Sequence, residues 1–147
     1  MTGSIGSREN SVHNPLTIIQ RAMNLVMPLG DPSPTGKARL VRDLAANQPA
    51  IETALNNVGT LHFARFNITG PYLLMISVYD GGAHSYIREV ARQLSDIFDV
   101  ILGHLADWPP PGAVPDAPPP GARQRYTVAA NPDLFNAWVM AHDSYPL

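Results

Sequence analysis

Thr60-Leu-His-Phe-Ala-Arg-Phe-Asn-Ile68 and, after Thr69-Gly-Pro71, Tyr72-Leu-Leu-Met-Ile-Ser-Val-Tyr79 are two runs rich in aromatic and aliphatic residues, separated by a short glycine-containing turn. Such a pair predicts an antiparallel hairpin from Gly59 to Asp80. A turn centred on Gly70 sets Arg65 opposite Met75, Phe63 opposite Ser77 and Leu61 opposite Tyr79 on one surface. The other surface then carries Ala64, Phe66, Ile68, Leu74, Ile76 and Val78, apolar except for His62 at its end, and is expected to be the buried one. The first surface, with Phe63, Arg65, Asn67, Met75, Ser77 and Tyr79, is too apolar to stand bare and too polar for plain core.

Beyond Asp80-Gly-Gly82 the apolar period lengthens from 2 to 3.6. Ile87, Val90, Ala91, Leu94, Ile97, Phe98, Ile101, Leu102 and Leu105 form one stripe, predicting a helix from about Ala83 to Leu105. Asp96 and Asp99 lie on its polar side and read as a solvated face. Upstream, Thr35 precedes a helical pattern over Lys37 to Ala45, and Pro49 breaks it before a second short run through Ile51 and Leu55. Leu16 to Met23 is read as a strand, although Asn14-Pro15 ahead of Leu16, Ile19 and Met23 also has the form of a helix start. Arg125 to Ala130 alternates like a strand, and Asn131-Pro132 then opens a helix bearing Leu134, Phe135, Trp138 and Val139. The proline-rich stretch Trp108 to Gly121 reads as an extended surface loop, and Met1 to Asn10, polar and rich in Gly and Ser, as a disordered N-terminus. Residues 11–147 thus read as a single α+β domain in the order β-α-β-β-α-β plus a terminal helix. That is the order of a ferredoxin-like plait with a four-stranded antiparallel sheet. In that fold the helices cover one sheet face and a second copy often covers the other, so a homodimer is expected.

Composition narrows the functional classes. The 147 residues are 45% hydrophobic and 15% charged, with net charge −2. They lack the basic excess that attracts nucleic acid. There are no cysteines, which excludes disulfides, thiolate metal sites and a cysteine nucleophile. No run approaches the length of a membrane span and no apolar leader opens the chain, so the expectation is a cytoplasmic protein without membrane contact.

Gly59-Thr-Leu-His62-Phe-Ala-Arg65-Phe66, followed by Tyr79-Asp80-Gly81 and the helix, resembles the dimeric α/β-barrel group of ferredoxin-like proteins. More closely it is similar to uncharacterised bacterial sequences loosely related to dye-decolorising peroxidases. The resemblance covers the hairpin and the helix after it, about a third of the chain. It implies a sheet-lined cavity shared by a dimer, in a group that includes haem peroxidases, cofactor-free monooxygenases and cyclases. No stretch here matches the peroxidases' haem-ligand histidine or their distal Asp and Arg motif, so the cofactor expectation is none, with haem as the minority reading.

Hairpin geometry gathers candidate chemistry without that resemblance. His62 begins one strand, Tyr79 and Asp80 end its partner, and His84 starts the helix, so the four are expected at one sheet end. His84 in the first helical turn feels the positive end of the helix dipole, which favours neutral imidazole and a base role. The plainer reading makes Asp80 a turn residue before two glycines and His62 an ordinary exposed histidine. Arg65, in mid-strand between Phe63 and Asn67, would bind an anionic or carbonyl group, pair across a subunit interface, or stand in solvent. Tyr79 would donate to a substrate oxygen or pack against a partner. Phe63, Asn67, Met75, Ser77 and Trp108 complete the expected substrate lining, with Trp108 also an anchor for the loop. The five histidines show no metal-ligand spacing; a site folded from His62, Asp80 and His84 is the geometric alternative. Two functions compete: a cofactor-independent enzyme of the cyclase, isomerase, dehydratase or monooxygenase type acting on a small organic substrate, and a non-catalytic binding or assembly subunit using the same sheet face. A haem-binding, peroxidase-related protein is the third.

Overall fold

Gly70 and Pro71 make a two-residue turn, and the pairing it closes, Thr69 with Tyr72, sets the register of the whole sheet. Gly70 takes φ +56°, a left-handed conformation in which a side chain is strained, while the Pro71 ring fixes its own φ near −65°. Glycine first and a negative φ second is the sign pattern of a II′ turn, whose twist matches that of the strands it joins. The sequence expectation of a turn centred on Gly70 is therefore corrected by one residue. Arg65 lies opposite Ile76, Phe66 opposite Met75 and Ala64 opposite Ser77. A slip of one residue exchanges the two faces of a strand.

The computed structural model describes residues 20–110 and 126–144, so the expected disorder of residues 1–10 and most of the proline-rich loop lie outside it. In chain order the elements are β1 (Gln20–Pro28), α1 (Pro34–Ala46), α2 (Gln48–Asn56), β2 (Leu61–Thr69), β3 (Tyr72–Asp80), α3 (Ala83–Leu102) and α4 (Pro132–His142). The strands form a three-stranded antiparallel sheet in the order β1-β3-β2. Four-strandedness is thus not found among the described residues. The expected fourth strand fails because residues 126–130 form a turn that docks on α3. Val128 is fully buried and its N–H donates to Asp99 Oδ1 at 2.8 Å, so Asp99, read as solvated, is a structural acceptor. Burial lifts the Asp99 carboxyl above its usual range, the Val128 bond offsetting this only in part. The described part of the first strand runs Gln20–Pro28, continuing past the expected end at Met23, with residues 16–19 outside the described residues; Met23, Leu25 and Met27 alternate into the core.

Two helix ends differ from the sequence expectation: α1 starts at Pro34, ahead of Thr35, and α3 stops at Leu102 instead of Leu105. Ser33 caps α1, its hydroxyl accepting from the Gly36 N–H at 3.2 Å, and Pro34 takes the first helical position. A side chain at Gly36 would lie 2.2 Å from the Asp31 carbonyl oxygen, so only glycine lets the preceding loop pass. Asn47 separates α1 from α2 ahead of Pro49. The long helix α3 carries its buried stripe as expected, with a kink at Leu94 (φ −118°, ψ 19°), and finishes at Leu102.

All four helices contribute to one core on one side of the sheet. Its sheet side is Met23, Leu25 and Met27 of β1 with Leu73, Met75 and Tyr79 of β3, covered by the stripe of α3. Phe98, Phe135, Trp108 and Trp138 close the end beneath α4 in edge-to-face contacts, with centroids 5.2 Å apart for Phe98–Phe135 and 5.7 Å for Trp108–Trp138. At the outer edge of β1, Asp143 bridges to Leu25, the Ser144 N–H donates to the Asn24 carbonyl at 2.9 Å, and the Ala106 N–H donates to Pro28. No helix among the described residues is long and apolar enough to cross a membrane.

Candidate functional site

The corrected register divides the expected site between two faces. Met75, Ser77 and Tyr79 are 3%, 1% and 2% exposed and belong to the core, not to the open surface with Arg65. The Ser77 hydroxyl donates to the Met23 carbonyl at 3.0 Å, which resolves why a polar residue tolerates that burial. The Tyr79 ring stacks on Tyr86 at 4.1 Å with 6° between planes. Burial raises the Tyr79 hydroxyl above its ordinary value and pushes Tyr86 up to about 12, the neighbouring Ser77 hydroxyl offsetting the latter only in part. Ser77 is already committed to Met23, and the Tyr86 oxygen has no hydrogen-bond partner of good geometry. Neither phenol reaches the open face.

Trp108 is likewise internal, 3% exposed, with its indole N–H donating to the Tyr126 carbonyl at 2.8 Å. It anchors the chain on both sides of the proline-rich segment. His84 sits on the first turn of α3 but points to α4, where Nδ1 lies 3.3 Å from the Asn136 amide oxygen. Its hydrogen-bond partner is thus Asn136, while Asp80 pairs with His62.

His62 and Asp80 do meet. A β-bulge between Leu61 and Phe63 places His62 at the irregular position, and its Nε2 lies 2.9 Å from Asp80 Oδ2. The other Asp80 oxygen, Oδ1, is buried without a partner. His62 borders a hollow of about 460 Å³ between α2 and the start of β2, lined in part by Glu52, Leu55, Val58 and Phe63.

Arg65, Phe63 and Asn67 remain exposed on the open face, the Arg65 guanidinium carbon lying 5.7 Å from the Phe63 ring centroid. Beside them stand Leu74, Ile76 and Val78 of β3 and Ala22 and Val26 of β1, which sequence reasoning placed in the core or left aside. All five are half-buried by their sheet neighbours, and none belongs to the core cluster. β3 is apolar on both faces, so its own alternation carried no signal for which side is inside; only the turn chemistry at Gly70-Pro71 did.

Two further acid–histidine pairs escaped the sequence reading. His104 Nε2 lies 2.7 Å from Asp43 Oδ2, tying α1 to the end of α3. His142 Nε2 lies 2.6 Å from Asp107 Oδ2 while its Nδ1 faces the Trp138 carbonyl at 2.7 Å, which pins the end of α4. Their partners are 61 and 35 residues away, beyond any local spacing rule. Among the described residues no three His, Asp or Glu side chains gather in metal-binding geometry. The chain matches no protein-family model, no curated protein and no solved structure.

Proposed function

We propose that this chain is a non-catalytic binding or assembly subunit whose open sheet face packs against a second copy of itself. The aliphatic patch of Ala22, Val26, Leu74, Ile76 and Val78, which no described helix covers, carries this reading. An aliphatic side chain moved fully out of water contributes about 1.5–3 kcal/mol, and these are only partly removed from it. Phe63 and Tyr72, each 43% exposed, border the patch. The β1-β3-β2 order with helices on one side is also that of a ferredoxin-like plait short of its fourth strand. In the group this chain resembles, a second copy covers that face.

Sedimentation velocity at high micromolar concentration tests it. Ile76→Lys places a charge on the patch without touching a helix; it is expected to halve the mass of the wild-type assembly while the circular dichroism spectrum is kept. A wild-type chain that stays monomeric would refute the proposal.

The His62–Asp80 pair favours a second reading, in which a small organic substrate enters the neighbouring hollow and His62 moves a proton. Histidine-detected NMR in the presence of small carboxylate and carbonyl fragments would show His62 shifts that are lost in Asp80→Asn. Unperturbed His62 signals across such fragments would count against it.

A further inference from the structure

Asn24 spends both backbone groups on the 143–144 segment, its N–H on Asp143 Oδ1 at 3.1 Å and its carbonyl on the Ser144 N–H. Backbone groups alternate in direction along an antiparallel strand, so the even-numbered residues of β1 turn outwards and the odd ones bond β3. The even-numbered residues of β3 therefore bond β2, as the Asp80 N–H donating to the Thr60 carbonyl at 2.8 Å confirms. Their partners are Phe63, Arg65, Asn67 and Thr69. What remains is the N–H and C=O of Ala64, Phe66 and Ile68, pointing out of the far edge of the sheet, and no described group bonds them.

Natural sheets blunt such edges by keeping them short or by placing charges and prolines on them. β2 is nine residues long, and past the bulge at His62 its single charge, Arg65, lies on the open face. We propose that β2 pairs antiparallel with β2 of a second copy about a two-fold axis at Phe66. That axis sets Phe66 opposite the copy's Phe66 and Ala64 opposite the copy's Ile68, so every outward N–H and C=O of the three residues is used. Shifting the axis by one residue to Arg65 would set arginine against arginine, and shifting it to Asn67 would leave Ala64 beyond the register. At Phe66, Arg65 instead faces the copy's Asn67, which accepts from a guanidinium.

This pairing does not rest on the face contact proposed above. Its axis stands perpendicular to the sheet, whereas the axis of a face-to-face dimer lies parallel to it. The two together would generate a closed four-chain assembly.

Because the chain contains no cysteine, single engineered thiols report the register directly. Directly opposed residues without mutual backbone bonds have Cβ atoms about 4.5 Å apart, close to the disulfide range of about 3.5–4.5 Å. Arg65→Cys chains mixed with Asn67→Cys chains are therefore expected to form covalent dimers at least tenfold faster than either variant alone, and to do so equally with Ile76→Lys added to both. Ala64→Pro removes one outward N–H while sparing the β2–β3 ladder, and is expected to abolish the cross-link. Asn67→Asp is expected to tighten association and Asn67→Arg to weaken it, both readable by sedimentation without disturbing the fold. Mixed thiols that cross-link no faster than single ones, or cross-linking lost with Ile76→Lys, would overturn the edge pairing.

Discussion

Replacing Tyr86 by Phe removes one oxygen from the interior, and the alkaline stability profile should register it. Tyr86 is 2% exposed, stacked on Tyr79, and its hydroxyl lacks a good partner. Burial pushes its pKa from 10.0 to about 12, because a phenolate there would lose its hydration. The phenol is neutral when protonated, so the native state keeps this proton while the unfolded chain releases it at its ordinary value. Across that interval the unfolded state binds fewer protons, and stability falls as pH rises. A gap of two units corresponds to about 3 kcal/mol, fully retained below pH 10 and lost on approaching pH 12. Urea unfolding at steps from pH 8 to pH 12 is expected to show the wild type losing about that much more than Tyr86→Phe. The Tyr79 phenol, also raised, titrates in both proteins. At pH 8 the Phe variant should be as stable as the wild type or gain about 1 kcal/mol, since no good hydrogen bond is lost. Parallel profiles, or a Phe variant clearly weakened at pH 8, would refute the reasoning.

Other perturbations test other parts of the structure. Met75→Lys, into the core, should abolish cooperative unfolding or cost at least about 3 kcal/mol, whereas Val78→Lys on the open face should cost the folded monomer less than about 1 kcal/mol; equal effects in thermal melts would mean the register is wrong. Asp99 has a raised carboxyl pKa, so the unfolded chain ionises first and stability falls as pH rises above 3.8. Asp99→Asn keeps an oxygen for the Val128 N–H and should flatten that acid-side slope, as melts between pH 3 and pH 7 would show. Phe135, fully buried among Phe98, Trp108 and Trp138, should cost about 3–5 kcal/mol on replacement by Ala and take the near-ultraviolet circular dichroism with it.

Helices and the hairpin were legible because their signals are local. Pro132 at a helix start, Pro49 in the first turn of α2, and the stripe of α3 all act within a few residues. Register was not so easily read, since β3 presents Leu74, Ile76 and Val78 on one side and Leu73, Met75 and Tyr79 on the other, and either set would satisfy a core. The decision lay in whether one residue or two form the turn at Gly70. Arg125 to Ala130 alternates as a strand does, yet residues 126–130 turn and the Val128 N–H is held by Asp99. Of the candidate site, the nearness of His62 and Asp80 at one sheet end was legible from hairpin geometry, whereas their direct contact was not. The separation of Tyr79 from Arg65 followed from the register and was missed with it.

The outer edge of β1 is stopped at Asn24 by residues 119 and 120 positions further along the chain. Together with the Ala106 N–H on the Pro28 carbonyl, these contacts occupy that edge at two points. While they hold, β2 is the long unpaired edge among the described strands, and a single symmetric pairing exhausts it. Were they to open, the edge of β1 would expose free backbone groups as well, and strands would then be able to add on either side of the sheet. On the proposed pairing, residues 143–144 are what would keep the assembly closed, and their loss would favour open-ended strand addition.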